Sequence, residues 1–296
     1  MIAAIRSELT RLRQPRLLLA WFGLMALFAI LVNTIMVTFV SGGGSLPPGA
    51  PGVSFPTQAE MESPSGLMAG LAAASSMFGV VTLSLWAVVT AGDYSSGLVR
   101  LLVAASNMFG VVTLSMWAVV TAGDYSSGLI RLLVAAEPRR WRLIAGKAVA
   151  LAIVTAGATT VAAVVNIFAV LPAAGASGIS TAAWGTDLLW VVASGWANLY
   201  LALCVWGVLG LVIAVLTRSA AVAISIGVGY VLVVESLVKM VKDAPSDWLL
   251  GTTLGAVASG GTASVGYGTA LGLALAYVTL GLALAVGVFV RRDVTD

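Results

Sequence analysis

Along this chain, apolar runs long enough to cross a bilayer alternate with short polar breaks. Met1–Arg16 sets Ile2, Ile5, Leu9 and Leu12 at helical spacing opposite Arg6, Glu8, Arg11 and Arg13. That pattern predicts a short amphipathic helix lying in a membrane interface; a solvated tail that only orients the first span is the plainer alternative. Leu17–Val40 follows as 24 largely apolar residues, enough to span and too long for the apolar core of a signal peptide. Further spans are predicted over Ala145–Leu171, Leu188–Leu216, Ala220–Leu237 and Ala270–Val290. Between them lie a Pro-, Gly- and Ser-rich loop over 41–66, a turn over Pro172–Thr186 closing at Asp187, and the tight break Thr217-Arg218-Ser219. A last loop carries Lys239, Lys242, Asp243, Asp247 and many glycines.

Residues 75–105 and 106–136 are near-identical tandem copies, differing only at Ser76/Asn107, Leu85/Met116 and Val99/Ile130, with 28 identities in 31. Such closeness fits a recent or engineered duplication and not an array of diverged structural repeats. Each copy holds an apolar run that ends before Gly-Asp-Tyr-Ser-Ser-Gly. If both crossed, the four cations Arg139, Arg140, Arg142 and Lys147 would fall outside, against the tendency of positive loops to stay in the cytoplasm. The expectation is therefore that one copy crosses while the other is re-entrant, interfacial or displaced, with seven crossings as the alternative.

The fold class predicted is an all-α polytopic membrane protein, a single transmembrane domain over 1–296. It has about six transmembrane helices, an interfacial elbow helix over 1–16 and both termini cytoplasmic. On that topology the inner side holds thirteen basic and six acidic residues and the outer side two and six, or +7 against −4. Composition agrees: 60% hydrophobic, 9% charged, mean hydropathy +1.05. That leaves too little polar surface for a water-soluble globule. The absence of histidine and the single Cys204 remove His-based triads, thiolate clusters and intrachain disulfides. No GxxxxGK[ST] phosphate loop occurs, so the chain is not expected to bind ATP by that route.

The most charged window is Gly123–Lys147, GDYSSGLIRLLVAAEPRRWRLIAGK. Here the sequence resembles bacterial ABC-2 permeases, the membrane halves of ATP-driven exporters. The matching features are Asp124, Gly128, the apolar run Leu129–Ala136, Pro138, Arg139 or Arg140, and Gly146-Lys147. The elbow, Arg218-Ser219-Ala220-Ala221 and the later Val-Val-Glu235 fit as well. Asp124 stands where glutamate is usual, and the extra 31 residues have no counterpart.

The resemblance implies that residues 123–147 form a cytoplasmic coupling region, docking a separate ATP-binding subunit that carries ATP-Mg. Its site residues would be Asp124, Gly128, Leu129, Arg131, Leu132, Leu133, Pro138, Arg139, Arg140 and Lys147. Leu129, Leu132 and Leu133 would supply the hydrophobic grip, and the arginines would meet acidic groups or lipid phosphates. A second permease copy or a paralogue would complete the pore; no catalytic residue, cofactor, metal or nucleic-acid partner is expected on this chain. The plainer reading is a loop whose arginines only set topology. Glu235, after fifteen nearly apolar residues, is expected either to sit at an interface beside Lys239 or to line a transport path. The function implied is export of a drug, peptide or lipid-like substrate across the bacterial cytoplasmic membrane. The alternatives are an ion-coupled secondary exporter and a non-transporting assembly partner.

Overall fold

In the computed structural model, the described residues are 2–13, 15–41, 58–69, 108–136, 139–176, 178, 180–185, 187–235, 238, 248–262 and 264–291. The copy over 75–105, Pro138, Lys239, Lys242, Asp243 and Asp247 lie outside them. Helices α1 (Ile2–Leu12) and α2 (Pro15–Ser41) come first, with Pro15 at the first position of α2, where a missing N–H costs nothing. A short α3 (Gln58–Glu62) follows, then α4 (Met108–Ser126), α5 (Leu129–Ala136) and α6 (Arg140–Ala176). A 3-10 turn (Ala182–Gly185) leads to α7 (Leu188–Thr217) and α8 (Ala220–Gly229), the latter widening into a π turn (Tyr230–Glu235). The last two are α9 (Leu250–Ser259) and α10 (Tyr267–Arg291).

Among the described residues, three helices, α6, α7 and α10, are long and apolar enough to cross a membrane. Their outward faces carry Phe168, Leu189, Trp190, Leu275, Leu280 and Leu284, a surface suited to lipid and not to water. The chain is thus an all-α, multi-pass membrane protein.

Pairwise contacts fix the helix directions. Gly157 faces Phe22 and Asn166 bonds to Asn33, so α2 and α6 run parallel. Trp117 Nε1 donates to Thr155 Oγ1 at 3.0 Å and Asp124 pairs with Lys147, so α4 runs against α6. Gly110 lies on Trp206 and Gly210 on Leu114, which makes α4 and α7 parallel; Tyr267–Asn198 and Gly281–Val212 do the same for α7 and α10. Ala223 packs with Ala118 and Ala122, and Gly227 with Leu114, so α8 opposes α4. Helices α2, α6 and α8 therefore point one way and α4, α7 and α10 the other.

Because lipid offers apolar groups as good a surrounding as protein does, close fit and internal hydrogen bonds hold such helices together. Small residues make the fit. A Cβ at Gly210 would strike the Leu114 carbonyl, and one at Gly207 the Trp117 ring, so α4 and α7 meet almost backbone to backbone. Buried hydrogen bonds add to it. Asn33 Nδ2 donates to Asn166 Oδ1, and Asn166 Nδ2 donates to the Leu67 carbonyl at 2.9 Å. Trp184 Nε1 reaches the Met61 carbonyl at 2.8 Å.

Several boundaries differ from the sequence expectation. Helix α6 continues through Pro172 to Ala176, so this proline sits in a last turn and does not start the loop. The expected span over Ala220–Leu237 is a ten-residue α-helix plus six π residues, ending at Glu235. The glycine-rich loop after it contains α9, buried at Gly251 and along 253–258, because its small residues let it settle against α7 and α10. Thr217-Arg218-Ser219 is the tight break expected: Arg218 takes a left-handed φ of 55° and Ser219 caps α8 through Val222 N.

Candidate functional site

The region after α4 is built on a sharp reversal. Ser127 N and Ser127 Oγ both donate to the Gly123 carbonyl, at 3.0 and 2.7 Å, and Ser126 Oγ joins them at 3.1 Å. Gly128 then takes φ +69°, the left-handed conformation glycine adopts without steric cost, and α5 starts in a new direction. Ile130 is buried in the core and Val134 packs against it. Leu129 and Leu133 are half-buried, while Arg131 and Leu132 stand outward, Leu132 at 68% exposed. Of the three leucines expected to grip a partner, Leu132 alone is openly presented. The inward stripe is Ile130–Val134, four residues apart.

Behind α5 lies a ring of four charges. Arg11 Nη1 pairs with Glu8 Oε1 at 3.1 Å, and Arg11 Nη2 donates to Asp124 Oδ1. Lys147 Nζ lies 2.5 Å from Asp124 Oδ2, an ion pair by distance though not aligned as a hydrogen bond. The same ammonium reaches Glu8 Oε2 at 3.3 Å and closes the ring. Asp124 is fully buried, Lys147 and Glu8 nearly so, and Arg11 is partly open. Burial alone would draw the Arg11 guanidinium pKa down, but the hydrogen bond and charge of Asp124, then those of Glu8, hold it above its usual value. Being raised, it keeps its charge, and with the carboxylates ionised its contribution to stability, until strongly alkaline solution.

Asp124 is in the last turn of α4, where the negative end of the helix dipole disfavours a carboxylate. The two cations offset that placement. The ring binds three elements together: α1, the end of α4 and the first turns of α6. Helix α5 hangs from the last two of them.

The structure thus joins Asp124 and Lys147 with Glu8 and Arg11. Sequence pattern had set the latter two on the polar side of α1. In fact Glu8 and Leu12 are buried and Leu9 packs on the core, so this face turns into the protein, while Arg6, Ser7, Thr10 and Arg13 look outward. The clue available in the sequence was Glu8 itself, the one acid among the first 59 residues. Gly146-Lys147 has no phosphate-binding role open to it, since the ammonium is held by two carboxylates. Arg139 is exposed, Arg140 reaches the Val290 carbonyl at 3.5 Å, and Arg142 stacks over Trp141 at 5.6 Å.

Glu235 is remote from this ring. It is buried at 1% exposure, and its Oε1 accepts from Gly251 N at 2.5 Å, capping the amino end of α9. A Cβ at 251 would run into the carboxylate, which explains the glycine there. The pairing expected with Lys239 lies outside the described residues.

Helical architecture, lipid-suited faces and a buried charge ring at a helix reversal define a polytopic membrane protein whose reversal loop is braced from within. The chain belongs to the family described as "Protein of unknown function (DUF2705)", which matches residues 26–295. No curated protein matches it.

Proposed function

We propose that this chain is the membrane-spanning permease subunit of an ATP-driven exporter of the ABC-2 type. It would lie in a bacterial cytoplasmic membrane with both termini inside. The observation that carries this reading is the pairing of an outward Leu132 and Arg131 on α5 with a buried ionic ring that ties both flanking helices together. A rigid-body push on α5 would pass into α4, α6 and α1 at once, because breaking the ring exposes uncompensated charge in a dry site. That is what a coupling helix needs. ATP-Mg and its hydrolysis belong to a separate subunit that receives α5 with Arg139 and Arg140 near the contact. A second permease copy or a paralogue completes the pathway, and the substrate class is a drug, peptide or lipid-like molecule.

Alternating helix directions support six crossings, by α2, α4, α6, α7, α8 with its π turn, and α10. Since α2 and α4 oppose each other, the end of α2 and the start of α4 lie toward the same side. The second repeat copy supplies α4 and α5, and the copy over 75–105 lies outside the described residues.

The test is Leu132→Asp in the complete complex. Placing a carboxylate in a docked apolar contact is expected to cut export ~10-fold or more, the equivalent of about 1.4 kcal/mol or above. ATP hydrolysis and membrane insertion should persist. Unchanged export would remove the coupling role from α5.

A further inference from the structure

Helix α1 carries two sets of charge, and only one is satisfied from within. Its inner set, Glu8 and Arg11, belongs to the ring with Asp124 and Lys147. Its outer set is Arg6 and Arg13, seven residues apart on one face, followed by Arg16 in the first turn of α2; all three are exposed. Seven residues bring two side chains to the same side of a helix about 10.5 Å apart along the axis. The only acid among residues 1–59 is Glu8, and it is turned inward. Among the described residues none of the three arginines makes an ion pair. Immediately beyond Arg16, α2 presents Leu19 at 73% exposed, then Leu24 and Leu27, an apolar face that belongs in hydrocarbon.

We propose that Arg6, Arg13 and Arg16 form a binding surface for anionic phospholipid headgroups of the leaflet in which α1 lies. The chemistry is charge complementarity at the headgroup level: three cations without a counterion among the described residues, placed where a hydrocarbon-facing helix leaves the bilayer. Lipid phosphates seat the outer face of α1, and Glu8 on its inner face then stays engaged with Lys147. Anionic lipid so stabilises the ring, and through it the base of α5. This surface stands independently of the transport reading, because it requires no ATP-binding subunit.

The experiment uses the full chain in mixed detergent micelles of phosphatidylcholine and phosphatidylglycerol, with bound lipid read by native mass spectrometry and thermal unfolding read in parallel. The wild-type protein should retain phosphatidylglycerol over phosphatidylcholine and unfold at higher temperature as the anionic fraction rises. Each arginine is expected to contribute about five-fold to that preference, so R6Q/R13Q/R16Q should lower it by on the order of 100-fold. The triple glutamine variant should match wild type in phosphatidylcholine alone, which separates lost lipid binding from lost folding. R6K/R13K/R16K, which keeps the charge, should keep most of the preference. Inorganic phosphate should neither compete nor raise the unfolding temperature. Undiminished preference in the glutamine variant, loss in the lysine variant as well, or full replacement of the lipid by free phosphate would each overturn the proposal.

Discussion

Lys147→Met is expected to destabilise the folded protein by about 3–5 kcal/mol, the cost of leaving a buried charge without its partner. The ammonium is 5% exposed and serves two carboxylates, Glu8 and Asp124, the second of which is fully buried. Removing it leaves Arg11 as the one counterion for both among the described residues, with a net negative charge in a dry site. The decisive comparison is the double variant Asp124→Asn/Lys147→Met. It restores neutrality, with Glu8 and Arg11 as the remaining pair, and should recover a large part of the loss. The measurement is unfolding in mild detergent for wild type, both single variants and the double variant, analysed as a cycle. If Lys147→Met unfolds like wild type, or if the two losses simply add, the four charges do not act as one ring.

A second large effect is expected at Gly210. Its missing Cβ is what lets α7 rest on the Leu114 carbonyl of α4, and a backbone atom cannot swing aside as a side-chain tip can. Gly210→Val should cost about 3 kcal/mol or more by overpacking, and should loosen the same interface at Trp117 and Trp206. Gly175→Ala, where a Cβ meets open space, should leave stability nearly unchanged. Equal effects at the two positions in thermal unfolding would contradict the close approach of α4 and α7.

Much of this architecture was legible in the sequence, because bilayer thickness imposes a length on apolar runs. The expected spans match α7 and α10 to within a turn of their ends, and that for α6 falls five residues short at each end. The break at Thr217-Arg218-Ser219 was also visible, as a short polar interruption between two apolar runs. What escaped was decided by partners distant in sequence. Glu8 and Arg11 sit on the polar side of α1 by periodicity, yet Asp124 and Lys147, more than a hundred residues away, draw them inward. Helix α9 escaped because glycine and threonine lower local helix propensity, and only its tertiary contacts repay the cost. Pro172 was read as a stop, but one lost hydrogen bond in the final turn of a 37-residue helix is affordable when the turn packs against Trp184. For the site, Asp124, Gly128 and Lys147 were singled out through a family resemblance. Their geometric roles, a buried anion, a left-handed reversal and a shared cation, came only with the fold.

The central claim is that α5 and the residues after it dock on an ATP-binding subunit, and crosslinking tests it most directly. Single cysteines replace Arg131 and Arg139 in a Cys204→Ala background, and the functional complex is treated with a short thiol crosslinker in the presence and absence of nucleotide. The account predicts crosslinks from both positions to the ATP-binding subunit, with yields that change when ATP is trapped. A complex that still exports its substrate yet gives no crosslink from either position would contradict it.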